Sequence, residues 1–174
     1  MGIAPVLETE RLRLRGHRLD DFVASCALGS DPQAVRFIFQ KPLTPEEVWA
    51  RLLRSVGHWA FLDHGLFVVE ERSSGRMIGE VGLADFHRGL GDDFDGVPEC
   101  AWMLSSEVHG QGYATEAVRA ALGWMEARFA VPRTVCIIDP DNAASRRVAR
   151  KLGYRVYGEA DYKGKPVIKF ERLA

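Results

Sequence analysis

The chain has 174 residues, of which 47% are hydrophobic and 27% charged, and its formal net charge at pH 7 is −1. This length predicts a single domain over residues 1–174 that is large enough to bury a core, and the near-neutral charge gives no general reason to expect nucleic acid as a partner. No apolar run approaches the roughly 20 residues of a membrane span, and no secretory signal is evident, so we expect no membrane partner and a cytoplasmic protein.

The first half of the chain predicts a strand and then several helices. Residues 7–15 alternate between apolar and charged side chains, which is typical of a strand. Two aspartates at 20–21 predict the start of a helix, and the Asp-Pro pair at 31–32 predicts another short turn or helix. The Thr-Pro pair at 44–45, followed by two glutamates, is a strong helix start. The apolar stripe expected along this helix consists of Val48, Leu52, Val56 and Trp59.

The second half predicts a hairpin, then alternating helices and strands, then a closing hairpin. The expected strands cover residues 66–71, 77–86, 99–104, 134–138, 154–162 and 166–172. The helix expected after the third of these has an apolar face of Val118, Leu122, Met125 and Phe129. A later helix is capped by the turn at 139–142 and closed by Gly153. Together these elements predict the fold class: a mixed α/β (α+β) domain with a central sheet.

The spacing of the cysteines and histidines favours neither disulfides nor metal ions. Cys26, Cys100 and Cys136 are far apart in sequence and odd in number, so we expect buried, reduced thiols. The five histidines show no ligand spacing such as His-x-x-x-His. We therefore expect no metal site.

The most informative stretch is 109–116, which reads His-Gly-Gln-Gly-Tyr-Ala-Thr-Glu and joins a predicted strand to a predicted helix. Glycine lacks a Cβ, so the main-chain N–H groups of such a turn can approach a ligand closely. The first turn of the helix adds unpaired N–H donors and the positive end of the helix dipole. The stretch predicts a phosphate or diphosphate site, although Gly-x-Gly turns also close helices and hairpins.

A second signal follows one strand later. Asn142 is a good N-cap, Ser145 lies one turn inside the same helix, and Lys-Leu-Gly-Tyr follows at 151–154. Together with the segments 8–15 and 98–117, this helix resembles the GCN5-related N-acetyltransferase (GNAT) family. More narrowly, it is similar to the branch of the ribosomal-protein N-terminal alanine and serine acetyltransferases. The resemblance covers nearly the whole chain and implies the GNAT fold, with a central mixed, mostly antiparallel sheet flanked by helices.

The resemblance implies an enzyme that moves an acetyl group from acetyl-CoA to a primary amine by direct attack on the thioester. A carboxylate near the end of the fourth strand of that fold would remove the proton from the amine, and this position is Glu99. Glu80, on the preceding strand, is the second candidate for the base. The competing interpretation of Glu99 is a solvent-facing strand glutamate held in an ion pair.

The resemblance also implies where CoA binds. Main-chain groups of Met103 and Leu104 would flank the thioester and the pantetheine arm, and Asn142 would contact that arm, cap its helix, or do both. A basic run at 146–151 would reach the 3′-phosphate or form a solvated helix face. His109 departs from the Gln or Arg that family members usually have there. The diphosphate would bind the N–H groups of His109, Gly110, Gln111, Gly112, Tyr113, Ala114 and Thr115.

The resemblance assigns the proton donor for the departing thiolate to a serine. Many members of the family have a tyrosine at the position that is Ala149 here, so that acid is missing. The ribosomal-type branch instead uses the serine three residues after the asparagine, which is Ser145. The alternative is a first-turn helix serine that is bonded only to its local backbone.

Several classes of acceptor amine fit the resemblance. A protein N-terminus, an amino sugar or antibiotic, a polyamine and an amino acid are all compatible with the family, as are a monomer and a homodimer. The aspartates at 92, 93 and 95 would steer a cationic amine or form a solvated loop. The aromatic candidates for the acceptor pocket, with core packing as the default, are Trp49, Trp59, Phe37 and Phe39.

Two other functions compete with the acetyltransferase. The same fold would suit a catalytically weak acyl-CoA-binding sensor or interaction module, but the presence of both Glu99 and Ser145 argues against it. A nucleotide-binding Rossmann domain is disfavoured, because the Gly-x-Gly turn comes late in the chain and lacks the third glycine.

Overall fold

The computed structural model describes residues 2–39 and 41–173. Its strands are β1 (Leu7–Glu8), β2 (Leu12–Arg15), β3 (Leu66–Glu71), β4 (Met77–Ala84), β5 (Glu99–Leu104), β6 (Arg133–Ile138), β7 (Arg155–Tyr162) and β8 (Lys165–Leu173). Its helices are α1 (Phe22–Ser30), α2 (Pro32–Val35), α3 (Pro45–Leu62), α4 (Tyr113–Phe129) and α5 (Ala143–Lys151). The eight strands form one sheet in the order β1-β2-β3-β4-β5-β6-β8-β7. The neighbouring strands pair antiparallel apart from β5 and β6, so the expected mixed, mostly antiparallel sheet flanked by helices is confirmed.

The N-terminal strand predicted over residues 7–15 is wrong in one respect, because it is two short antiparallel strands. Thr9 closes the turn between them: its hydroxyl oxygen accepts a 3.0 Å hydrogen bond from the Leu12 N–H. The turn is tied to α4, since the Glu116 carboxylate accepts from the Thr9 hydroxyl at 2.6 Å and from the Arg11 side chain at 2.7 Å. A contact between residues 107 positions apart therefore supports the break between the two strands, which the local alternation of apolar and charged residues could not reveal.

The long helix α3 begins as the sequence predicts. The Thr44 hydroxyl accepts from the Glu47 N–H, and the Glu47 carboxylate accepts from the Thr44 N–H, which completes a capping box. The buried stripe differs at one position: Val56 is 44% exposed, whereas Ser55 is 4% exposed. Helical geometry explains the difference, because residues 48, 52, 55 and 59 lie along one line of the helix and residue 56 is turned about 100° away from residue 55.

Helices cover both faces of the sheet around β5. The predicted face of α4 packs in the main core, where Val118, Leu122 and Met125 are buried and Phe129 is partly buried. A smaller cluster on the opposite face includes Val35 of α2 and Met103 of β5. Within residues 2–39 and 41–173, no helix combines the length and the apolar character that a membrane crossing requires.

The parallel strands β5 and β6 meet at one end and then separate. Their register contains the pair Glu99–Val135, and the Val135 N–H donates to the Pro98 carbonyl at 3.1 Å. Beyond this point β5 runs on along β4 as far as the pair Gly79–Leu104, while β6 runs along β8. The divergence leaves one edge of β5 open, and this opening positions the candidate site.

Candidate active site

A cavity of about 240 Å³ lies where β5 and β6 separate. It brings together four residues that the sequence singled out from two different segments: Glu99, Met103, Asn142 and Ser145. Glu80, the second candidate for the base, also lines it. The cavity therefore collects the proposed proton-transfer groups, although none of residues 109–115 lines it.

The two candidate bases lie on the same face of the sheet. Antiparallel pairing places Glu80 opposite Met103 and Glu99 opposite Ala84. Because side chains alternate across a strand, the positions between the two carboxylates on this face are Gly82 and Ala101, which pair with each other. A floor of small residues thus separates two buried carboxylates.

Glu99 is held in a buried ion pair. It is 3% exposed, and Arg88 donates to its two carboxylate oxygens, from Nε to Oε2 at 2.6 Å and from Nη2 to Oε1 at 2.7 Å. Burial raises the pKa of the Glu99 carboxyl, and the hydrogen bonds and charge of Arg88 offset only part of that rise. The ion pair that the sequence left open as an alternative exists, but it is buried in the cavity rather than facing solvent.

Glu80 has the opposite electrostatic environment. Its carboxylate contacts the His17 ring at 3.0 Å and the Arg51 guanidinium at 3.3 Å. Burial acts to raise the pKa of Glu80, but the hydrogen bond and charge of His17 and the charge of Arg51 outweigh it, so the pKa is lowered. Glu80 is therefore the weaker of the two bases.

Ser145 lies on the other side of β5 from Glu99. Its hydroxyl oxygen accepts a 3.2 Å hydrogen bond from the indole Nε1–H of Trp102, and its main-chain N–H donates to the Asn142 side chain at 3.0 Å. Trp102 and Glu99 have opposite parity on β5, so their side chains leave opposite faces of the strand. The two proposed proton-transfer groups thus approach the cavity from opposite sides.

The main-chain N–H and C=O groups of successive β5 residues point alternately toward β4 and toward the opening. The Ser105 N–H donates to Ile78 of β4, and Met103 has the same parity as Ser105, so its N–H and C=O also face β4. Those of Leu104 face the opening, where the His109 ring contacts the Leu104 carbonyl at 3.0 Å. Of the two residues expected to flank the thioester, Met103 offers its side chain to the cavity and Leu104 offers main-chain groups to the opening.

The turn before α4 has the features of an anion site. Gly110 and Gly112 have φ values of 78° and 84°, a conformation that other residues rarely adopt. The N-cap is Gly112, and within the described chain no side chain caps this helix end. The N–H groups of the first turn, Tyr113, Ala114 and Thr115, therefore lack intrahelical partners and can receive an anion.

The side chains of this turn are used for structure. The Tyr113 hydroxyl donates to the Glu71 carboxylate at 2.8 Å, and the Arg11 guanidinium lies 4.3 Å from the Tyr113 ring centroid. Arg11 also donates to the Gln111 carbonyl at 2.9 Å. The turn is thus held in place by its side chains. Of the residues expected to bind the diphosphate, His109 is an exception, because its N–H donates to the Ser106 carbonyl at 3.2 Å, whereas the N–H groups from Gly110 to Thr115 have no partner among the described residues.

A comparison with models of protein families identifies the family of this chain. Residues 11–155 match the model of the acetyltransferase (GNAT) domain. The chain belongs to the GNAT acetyltransferase family. It is 32% identical over 109 residues to YkkB of Bacillus subtilis (strain 168), a match that covers 62% of this chain and 60% of YkkB.

Solved structures agree with the GNAT fold. A Bordetella pertussis protein described as a GnaT-family acetyltransferase superposes with a TM-score of 0.89 and 31% identity, over 97% of this chain and 99% of that one. The ribosomal L7/L12 acetyltransferase RimL, solved in complex with coenzyme A, superposes with a TM-score of 0.79 over 97% of this chain and 98% of its own. Its 17% identity supports the shared fold alone.

The acidic loop of this GNAT chain is occupied by internal contacts. Asp93 forms a 2.6 Å ion pair with Lys169, and the Asp95 carboxylate accepts from the N–H groups of Gly89 and Leu90 at 3.2 and 2.9 Å. Phe94, between them, is 2% exposed and packs inward. These contacts favour a structural role for two of the three aspartates over the steering of a cationic amine.

The aromatic candidates divide between the cavity and the rest of the fold. Phe37 and Phe39 line the cavity. Trp59 is instead buried in the core, with its ring 4.8 Å from that of Phe67, and Trp49 packs on Phe22 at 5.4 Å. The periodicity of the sequence alone could not predict which of these aromatic residues line the cavity, because an aromatic side chain fits an apolar helix face or a pocket wall equally well.

Four residues of the GNAT site were missed by sequence reasoning. Trp102 holds the Ser145 hydroxyl, and the other three are arginines that line the cavity: Arg51, Arg54 and Arg88. The three-residue spacing of Arg51 and Arg54 on α3 is a detectable signal for two of them. Nothing local points to Arg88, which lies in an irregular segment.

Among the described residues, no group of three or more His, Cys, Asp or Glu side chains could hold a metal ion.

Proposed function

We propose that this protein is an acetyl-CoA-dependent N-acetyltransferase that moves an acetyl group to a primary amine by direct attack on the thioester. The amine nitrogen bonds to the acetyl carbon, the C–S bond breaks, and the thiolate is protonated. One observation carries the proposal: Glu99 and Ser145 approach the same cavity from opposite faces of β5. A base on one side and an acid on the other suit an acceptor and a leaving group that lie on opposite sides of the acetyl carbon.

The open N-terminus of α4 supports the proposed site of CoA. Its N–H groups, from the turn at Gly110 to Thr115, would hold the diphosphate, and the positive helix end would favour its charge. Asn142 caps α5 through its side-chain oxygen and lines the cavity, so its NH₂ group would contact the pantetheine arm. The N–H of Leu104, which faces the opening, would donate to the developing oxyanion.

Glu99 is the proposed base, and its environment favours it over Glu80. A raised pKa makes a carboxylate a stronger base at neutral pH, whereas the lowered pKa of Glu80 has the opposite effect. Arg88 uses one lone pair on each Glu99 oxygen, but a carboxylate has about four acceptor positions. The remaining positions would receive the proton of the amine directly or through a water molecule.

Ser145 is the proposed acid. Because its oxygen accepts from the Trp102 indole, its own O–H hydrogen is directed elsewhere and can be donated to the sulfur. The position of the tyrosine that many family members have is occupied by Ala149, which is fully buried. Ser145 is therefore a hydroxyl donor in the cavity that could take the role of that tyrosine.

The second candidate function is a catalytically weak acyl-CoA-binding sensor of the same fold. The bidentate Arg88–Glu99 pair favours it, because an arginine bound to both carboxylate oxygens weakens a general base. An acceptor screen with acetyl-CoA, read by release of the free CoA thiol, separates the two functions. Turnover of an amine, with its loss in Glu99→Gln at unchanged CoA affinity, is expected for the enzyme. Tight CoA binding with no turnover on any amine would instead support the sensor.

We propose that residues 1–174 act as one acetyltransferase domain in the cytoplasm, as a monomer or homodimer, with no metal, nucleic-acid or membrane partner. The acceptor would be a protein N-terminus or a small amine. RimL, a structural neighbour, acts on ribosomal protein L7/L12, which supports including N-terminal peptides in the acceptor screen.

A further inference from the structure

The face of the cavity that holds Glu80 and Glu99 carries more positive charge than those two carboxylates neutralise. Arg51 pairs with Glu80 at 3.3 Å, and Arg88 pairs with Glu99. Arg54, which also lines the cavity, forms no salt bridge and no hydrogen bond with any of the residues that the structure describes. Its guanidinium therefore keeps its full set of donors available.

Arg54 is held in position by its neighbours. It lies three residues after Arg51 on α3, which places the two on the same face of the helix. Its guanidinium lies 5.3 Å from the Phe86 ring centroid, and the Arg88 guanidinium lies 4.8 Å from the same centroid. The ring contact orients Arg54 without using its N–H groups, since these point along the plane of the guanidinium.

The positive charges around Arg54 favour a bound anion. Although Arg54 as a whole is exposed, partial burial lowers its pKa, and the charges of Arg51 and Arg88 lower it further. Lys163, at the turn between β7 and β8, adds a positive charge to the cavity lining and Asp139 a negative one, so the lining keeps one positive charge in excess. A purely cationic acceptor would be repelled by this group of charges, whereas an acceptor with a negative group would relieve the repulsion.

We propose that the acceptor is a small amine that carries an anionic group, a carboxylate or a phosphate, and that Arg54 binds this group. The planar fork of donors in arginine matches both anions. The small side chain of Ala101, which lines the cavity between the two carboxylates, leaves room for the acceptor beside them. The inference rests on the proposed N-acetyltransferase function and narrows its substrate class.

The test uses matched pairs of amines that differ in the anionic group. One arm compares L-amino acids with their amides, and the other compares amino sugar phosphates with the free amino sugars. Binding to the CoA-loaded protein is measured by calorimetry, and KM is measured with acetyl-CoA. We expect the anionic member of at least one pair to bind more tightly. The arm that shows the preference identifies the anion as carboxylate or phosphate.

The variants Arg54→Met and Arg54→Lys locate the effect. Arg54→Met is expected to raise the Kd and KM of the anionic amine about 10- to 100-fold, the range for a lost charge-assisted contact, and not to weaken the binding of its partner without the anionic group. Arg54→Lys is expected to restore part of the affinity. Arg128→Met is the matched control, because Arg128 is also an exposed arginine stacked on a phenylalanine, Phe129, but lies outside the cavity.

The outcomes distinguish this inference from the function on which it rests. Equal binding of both members in every pair, or a preference that survives in Arg54→Met, would overturn the anionic acceptor even if amines without an anionic group are acetylated. A preference that disappears in Arg54→Met, without any acetyl transfer, would support the anion site and overturn the proposed enzyme.

Discussion

The indole N–H of Trp102 donates a 3.2 Å hydrogen bond to the hydroxyl oxygen of Ser145. Trp102 lies on β5 and Ser145 in the first turn of α5, so the bond joins β5 to the helix that follows β6, beside the opening where β5 and β6 separate. A hydroxyl that accepts from a fixed donor has its own hydrogen directed away from that donor. The bond therefore orients Ser145 for donation to the leaving sulfur.

Removing this hydroxyl should slow the reaction. We expect Ser145→Ala to lower kcat about 100-fold, the low end of general-acid effects, because a thiol is a good leaving group. Trp102→Phe should lower kcat less, since the hydroxyl stays but loses its orientation. Steady-state release of CoA thiol measures both, with Ser30→Ala on the exposed end of α1 as the control. An unchanged kcat in Ser145→Ala would remove the serine from the mechanism.

The pH profile should distinguish the two candidate bases. A base acts in its deprotonated form, so kcat/KM falls as the pH drops through its pKa. Because burial raises the pKa of Glu99, the acidic limb should lie above the ordinary glutamate value of about 4.3. The ratio of wild-type to Glu99→Gln rates, taken with one amine, cancels the ionisation of the amine and should follow this limb. A limb below about 4.3 that disappears in Glu80→Gln would instead identify Glu80.

The Arg15–Asp21 pair should control stability in acid. Asp21 is 6% exposed and accepts from Arg15 at 2.7 and 2.8 Å and from the Arg18 N–H at 2.6 Å. Burial acts to raise the pKa of Asp21, but these hydrogen bonds outweigh it and the pKa is lowered. Its stabilising effect is therefore present above the unfolded value of about 3.9 and is lost as the pH falls through the folded pKa.

Breaking the Arg15–Asp21 pair should lower the free energy of unfolding at neutral pH. We expect Asp21→Asn to lower the free energy of unfolding by about 3 kcal/mol at pH 7, and the difference from the wild type should shrink as the pH falls below about 3.9. Urea denaturation at several pH values measures this. The neighbouring exposed Asp20 supplies the control, since Asp20→Asn should change stability by no more than about 0.5 kcal/mol. Equal effects of the two substitutions would contradict the role of the pair.

A glycine substitution should separate backbone strain from CoA binding. Gly112 and Gly75 have φ values of 84° and 68°, and an added Cβ meets nothing closer than 3.5 Å at either position. Alanine at each should therefore cost a similar roughly 1–2 kcal/mol of stability from the backbone alone. Only Gly112→Ala should also weaken CoA, by about tenfold, because it displaces the N–H groups proposed to hold the diphosphate. Calorimetric titration with CoA checks this, and an equal loss of affinity in Gly75→Ala would refute it.

Local chemistry predicted much of the fold. The capping box at Thr44, the N-cap at Asn142 and the left-handed Gly153 at the end of α5 all depend on a few neighbouring residues. Each of these signals acts within one helical turn, which is why it can be read from the sequence. The same reason explains the two local errors: the break at Thr9 depends on Glu116, and the exposure of Val56 depends on which line of α3 meets the sheet.

The sequence by itself determined the order of the elements, the glycine turn before α4 and the positions of Glu99 and Ser145. The tertiary structure decided their chemical environment. Arg88 neutralises Glu99 from an irregular segment, and Trp102 orients Ser145 from 43 positions away. Arg54 faces the cavity without a carboxylate partner among the described residues. Burial and long-range charge set the pKa of a group, and the packing of distant segments decides whether it has a charged partner. Both depend on distances that only the folded chain defines.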